Sequence, residues 1–116
     1  MKGRIDRRWG VAGCGICIVL AVFALFSPTI GFDFINLDDT QYVVENPMVS
    51  GGLSWGAIWT AWTTSLESYW APGLWMSFML DADLYGLNPH GFHLGNVILF
   101  ALNAGLLFGL AWRWTG

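Results

Sequence analysis

The sequence is 116 residues long, 55% hydrophobic and only 11% charged, with eight tryptophans and a formal net charge of −3. Soluble domains carry about 25% charged residues, so this composition excludes a disordered tail, a nucleic-acid-binding domain and an ordinary cytosolic enzyme. The length allows one small domain at most, and two cysteines three residues apart cannot build a disulfide framework.

In chain order, residues 1–8 hold four of the five basic residues: Lys2, Arg4, Arg7 and Arg8. The fifth is Arg113, and no Lys or Arg lies between Trp9 and Trp112. Positive residues flanking apolar spans stay on the cytoplasmic side, so both ends are expected inside and the middle outside, in a multi-pass integral membrane protein of bacterial inner-membrane type. Residues 9–30 form the first predicted transmembrane helix. Its uncharged stretch Trp9–Phe26 has 18 residues and covers roughly 27 Å, against a hydrocarbon core of ~30 Å. The following Leu25-Phe26-Ser27-Pro28 lacks the small-residue pattern of a cleavage site, so the helix is read as retained. Cys14 and Cys17 form a C-x-x-C within this apolar run, far from a second ligand pair, and are read as small residues on a helix face.

Residues 31–88 form the predicted extracytoplasmic loop, with seven acids (Asp33, Asp38, Asp39, Glu45, Glu67, Asp81 and Asp83) and no Lys or Arg. Its most chemical part is Phe34-Ile35-Asn36-Leu37-Asp38-Asp39-Thr40-Gln41-Tyr42-Val43. Adjacent carboxylates at Asp38 and Asp39 repel one another unless a cation or a proton compensates, an arrangement that suits a general base acting on a hydroxyl. A capping or Asx-turn role is the structural alternative. Ser54 predicts an N-cap for a helix with Trp55, Ile58, Trp59 and Trp62 on one face. A second helix is predicted from Pro72, with Trp75, Phe78, Met79 and Ala82 on one face and Ser77 and Asp81 behind. Tryptophan-rich amphipathic helices lie in the headgroup plane or pack on further spans, and both place the loop at the membrane surface. Asp81-Ala82-Asp83 has a D-x-D pattern, but i and i+2 residues diverge on a helix. An ordinarily solvated polar face is therefore expected, with no metal site and no cofactor.

Residues 89–112 form the second predicted span, with Asn88 as N-cap and Pro89 at the first helical position. His93, Asn96 and Asn103 line one side, and Ala101, Gly105 and Gly109 form a small-residue ridge on roughly the opposite side. Polar side chains at this depth face a bundle interior or a wet cavity. Two specialised faces ask for two neighbours, so further transmembrane helices of a longer chain are expected after residues 113–116. Tryptophans 9, 112 and 114 mark the inner membrane edge. The fold class is thus an all-α membrane protein: two transmembrane helices joined by a long extracytoplasmic loop with amphipathic, membrane-parallel helices.

The order Phe34-x-Asn36-x-Asp38-Asp39-x-x-Tyr42-Val43, Glu45-Asn46-Pro47-x-Val49 and Gly52-Leu53-Ser54 resembles the start of large membrane glycosyltransferases of the GT-C fold. More closely, it is similar to the transmembrane and tetratricopeptide-repeat proteins related to protein O-mannosyltransferases. The resemblance continues through Trp70-x-Pro72, Trp75-x-Ser77-x-Met79-Leu80-Asp81, Gly86-Leu87-Asn88-Pro89, His93-Leu94-x-Asn96-Val97, Leu102-Asn103-Ala104 and Arg113-x-Thr115-Gly116. It implies the N-terminal portion of a GT-C fold, inactive by itself, from an enzyme moving a sugar from a polyprenyl-phosphate donor to a hydroxyl acceptor. It also implies that Asp38, or else Asp39, acts as the base and that Asn46, Trp70, Asp81 and His93 contribute to substrate binding. Partners implied are membrane lipid, the lipid-linked donor and further helices of the full-length chain; no nucleic acid is expected. Where such proteins usually read Trp-His-Pro-Leu-Thr-Trp, this chain has Trp70-Ala71-Pro72-Gly73-Leu74-Trp75, and Phe78 and Phe100 replace common histidines. The alternative from another class is a non-catalytic two-span module that packs on partner helices through the Gly105–Gly109 ridge.

Overall fold

A computed structural model describes residues 2–66 and 68–115. Glu67, counted above among the loop acids, and Gly116, the last residue of the C-terminal motif, lie outside the described residues. The described residues fold as helices and turns: α1 (Lys2–Phe26), α2 (Pro47–Ser50), α3 (Trp55–Thr63), α4 (Pro72–Tyr85) and α5 (Pro89–Thr115). A 3-10 turn, Ser27–Gly31, follows α1, and a π-helical turn, Thr40–Val44, precedes α2. An isolated antiparallel bridge joins Leu66 and Tyr69.

Local chemistry explains the helix starts. The Ser54 hydroxyl accepts from Ala57 N at 3.1 Å, and the Asn88 carboxamide oxygen accepts from His90 N at 3.1 Å. Each satisfies an amide that the first helical turn leaves without an intrahelical partner. Pro72 and Pro89 occupy the first positions of α4 and α5, where a missing N–H costs nothing. Gly86 ends α4 at φ +63°, a conformation that L side chains disfavour.

Two helical stretches, Trp9–Gly31 and Pro89–Thr115, are long and apolar enough to cross a membrane. None of the most apolar window of the first is buried, and only 11% of that of the second. A core helix of a soluble protein would be mostly covered; these are not.

The chain divides into two compact units, one of Met1–Thr29 with Asn96–Gly116 and one of Ile30–Gly95. In the first, α5 turns Ala101 and Gly105 toward α1. Ala101 is buried, and a Cβ at position 105 would lie 2.7 Å from Val19 Cγ2. Phe26 and Phe100 meet edge to face at 5.0 Å. The ridge that the sequence offered to an outside partner is therefore engaged at Gly105 by α1, while a side chain at Gly109 would meet nothing.

The second unit has its own hydrophobic core. Val43, Val49, Ala61, Trp75, Met79 and Phe92 are buried together, with Phe34, Tyr42, Met48, Ala57, Leu66, Phe78 and Ala82 packed against them. The face of α4 expected to lie on a membrane or on further helices thus packs inside the unit itself. On α3 the small residues Ala57 and Ala61 turn inward, and Trp55, Trp59 and Trp62 remain exposed. Burying side chains such as Trp75 and Met79 contributes about 1.5–3 kcal/mol each.

Candidate functional site

The acidic segment is built as a tied turn. Phe34 anchors its start, edge to face with Phe92 at 5.5 Å and tilted against His93 at 6.2 Å. Leu37 N donates to Ile35 O at 2.8 Å, turning the chain back. Ile35 N donates to Asp39 Oδ2 at 3.0 Å, and the Thr40 hydroxyl donates to Asn36 Oδ1 at 3.1 Å. The π turn then closes with Glu45 N donating to Thr40 O at 2.8 Å. Such wide turns cluster at functional sites. Val43 drops into the core and Tyr42 stacks edge to face on Trp75 at 5.5 Å, so this turn is fixed from beneath.

The two carboxylates fare differently. Asp39 is half-buried and its Oδ2 is committed to the Ile35 amide four residues back, which is neither a helix cap nor an Asx turn, whose side chain bonds the backbone two residues on. Asp38 is exposed and has no hydrogen-bond partner among the described residues. Chemically, Asp39 shapes the turn and Asp38 is presented by it.

Asn46 is buried between the π turn and α2. Its Nδ2 donates to Tyr42 O at 3.2 Å, and its Oδ1 accepts from Met48 N at 3.0 Å. Both ends of the side chain are thus used to join two elements. Trp70 is exposed; its indole N–H donates to Trp62 O at 3.1 Å and its ring meets Trp62 edge to face at 6.0 Å. These contacts tie Trp70 to the end of α3 rather than to the acidic turn.

Asp81 departs most from expectation. The sequence placed it on a solvated face, yet it is only 7% exposed. It faces α5 at Gly95, where a Cβ would lie 2.5 Å from Asp81 Oδ1. The missing side chain at Gly95 makes the space for the carboxylate. Burial pushes its pKa from 3.8 up to about 6. Asp83 diverges, as i, i+2 spacing demands: its Oδ2 accepts from Leu53 N at 3.0 Å and its carboxylate covers Gly52, held at φ +73°. The D-x-D pair therefore serves two separate contacts, and among the described residues no group of three metal-ligating side chains forms.

His93 is half-buried on α5, with its Nε2 buried and without a hydrogen-bond partner. Contacts thus bring Asn46 to the acidic turn and His93 to the Phe34 ring at its start, while Asp81 meets α5 two residues beyond His93. Sequence reasoning missed three ties that hold this arrangement. His90 Nδ1 lies 2.9 Å from Ile30 O, joining the two ends of the unit. Asp83 secures the Gly52–Leu53 turn. Gly91 and Gly95 let Tyr85 and Asp81 approach α5, and their four-residue spacing was the available signal. Phe78, where a histidine is common in the resembling proteins, packs between Trp75 and Phe92.

Comparison with known proteins finds no matching family model, no matching curated protein and no matching solved structure.

Proposed function

We propose that this chain is the N-terminal segment of an integral-membrane, GT-C-type glycosyltransferase that presents Asp38 as a general base on the outer side of a membrane. The observation that carries the reading is the division of labour in the acidic turn. Asp39 is spent on the Ile35 amide, whereas Asp38 stands exposed and unpaired seven residues beyond the apolar stretch that ends at Gly31. In this reaction Asp38 takes the proton of an acceptor hydroxyl as its oxygen attacks the anomeric carbon of a polyprenyl-phosphate-linked sugar. The anomeric C–O bond to phosphate breaks, the lipid phosphate leaves with the electron pair, and the configuration inverts. The phosphate is a good leaving group, so one base with positioning suffices. Both chain ends lie in the cytoplasm, following the basic residues.

The test is sugar transfer from a polyprenyl-phosphate donor by membranes expressing the native gene. Asp38→Asn should lower the rate about 10²–10⁴-fold, the usual worth of a positioned base. Asp39→Asn keeps an acceptor oxygen for Ile35 N and should lose less than tenfold. Full activity in Asp38→Asn sinks the assignment. A second reading, a membrane module that packs on partner helices, is favoured by the open polar face of α5.

A further inference from the structure

The face of α5 opposite its packing against α1 carries a regular pattern. Asn96, Leu99, Asn103, Leu106 and Leu110 follow one another at steps of three and four residues. These are the a and d positions of a heptad repeat: 96, 103 and 110 at a, 99 and 106 at d. At about 100° per residue they form one stripe, and the helix rises roughly 21 Å from the first to the last. Val97, Ala101 and Gly105 lie on the other side; Val97 and Ala101 are buried, and Gly105 meets Val19. The stripe is exposed, although Leu106 also borders a groove that Ala12, Gly15, Ile16 and Val19 of α1 line. Asn96 and Asn103 are exposed, and Leu99, Leu106 and Leu110 are 46%, 66% and 49% exposed. Neither carboxamide has a hydrogen-bond partner among the described residues.

We propose that this stripe is the seam of a parallel dimer, in which α5 of one chain packs on α5 of a second copy. The carboxamides select that occupant. Each carries both donors and an acceptor and so complements itself, and in a parallel pair every a position faces its own counterpart. Asn96 then meets Asn96 and Asn103 meets Asn103, satisfying groups that hydrocarbon leaves unsolvated. The apolar stretch of α1, from Trp9 to Phe26, has no amide, hydroxyl or charged side chain to offer. Within this chain, the matching pair of carboxamides seven residues apart is on α5 itself. A polar asparagine at an a position specifies register and oligomer state. The Gly105–Gly109 ridge is not the seam, because Gly105 is engaged inside the chain.

The proposal is independent of any catalytic activity and is tested without it. The full chain, with Cys14→Ala and Cys17→Ala, is reconstituted at graded protein-to-lipid ratios and its self-association is followed by energy transfer between labelled copies. Association should rise with the protein fraction. Asn103→Leu should weaken it about 3- to 30-fold, the range for interhelical hydrogen bonds in lipid, while Gly109→Leu leaves it unchanged. A second readout keeps both asparagines in place. Single cysteines at Leu99, Leu106 and Leu110 should cross-link between copies on oxidation, and cysteines at Ala104 and Gly109 should not. A chain that stays monomeric at every ratio assigns the stripe to a helix of different sequence and overturns the dimer. Cross-linking that peaks at Gly109, or association lost only in Gly109→Leu, overturns it as well.

Discussion

In the unit Ile30–Gly95, Val43, Val49, Trp75, Met79 and Phe92 are withdrawn from solvent around one core. In the unit of α1 and the later part of α5, buried hydrophobic residues among the described ones are Val97 and Ala101, and leucines such as Leu102, Leu106 and Leu107 stay uncovered. The hydrophobic content of the two regions is used differently. One gathers Val43, Val49, Trp75, Met79 and Phe92 into a core that the hydrophobic effect can hold in water, while Trp55, Trp59, Trp62 and Trp70 stay exposed on it. The other leaves its apolar surface uncovered on two helices long and apolar enough to cross a membrane. A single mean hydropathy of +0.53 conceals this division.

Emptying the core should separate the two regions most. Trp75→Ala removes a fully buried ring that supports Tyr42 and Phe78. It should destabilise the unit Ile30–Gly95 by about 3–5 kcal/mol, whereas Leu107→Ala, on an exposed position of α5, should change detergent-solubilised stability by less than about 0.5 kcal/mol. Denaturant titrations followed by near-ultraviolet dichroism distinguish the two. Equal losses would erase the distinction between the regions.

Asp81 sets the unit Ile30–Gly95 apart by its titration. Its folded pKa of about 6 lies above the ordinary 3.8, so between those values the folded chain holds more protons than the unfolded one. Its contribution to stability is therefore full below about pH 4, falls as pH rises toward 6, and levels off above. Asp81→Asn should abolish that slope and stabilise the unit Ile30–Gly95 near pH 7 on the order of 1–2 kcal/mol, allowing for solvent screening. Thermal melts from pH 4 to 7 check it; a slope that persists in Asp81→Asn would point to another group.

Smaller effects test the joints. Asn46→Ala removes the cap of α2 and the bond to Tyr42 O, with an expected loss of about 1–2 kcal/mol. It should also increase hydrogen exchange at Met48. Trp70→Phe keeps a ring against Trp62 but removes the indole N–H bond, and should cost about 0.5–1 kcal/mol in the same denaturant titration.

What was legible in the sequence was mostly local. Ser54, Asn88, Pro72 and Pro89 announced three helix starts, because capping depends on residues a few positions apart. The two helices long and apolar enough to cross a membrane were legible from uninterrupted apolar length. Burial of Asp81 was not, since it depends on a glycine 14 residues away on another helix. The inward turn of the α4 face escaped for a related reason: an apolar stripe shows that something will cover it, without showing what. The acidic pair was visible as a pair, but its division into a shaping Asp39 and a presented Asp38 rests on one backbone amide, Ile35 N. The π turn beyond it has no signature of its own in the residue pattern.

We propose that the tied acidic turn is presented on the outer side of a membrane that α1 and α5 cross. A chain carrying Asp38→Cys with Cys14→Ser and Cys17→Ser leaves one thiol, and a membrane-impermeant maleimide applied to intact cells reads its position. Labelling at 38 should be rapid in intact cells, and an Arg113→Cys chain should be labelled only after the membrane is opened. A thiol at 38 that reacts only after permeabilisation would contradict it.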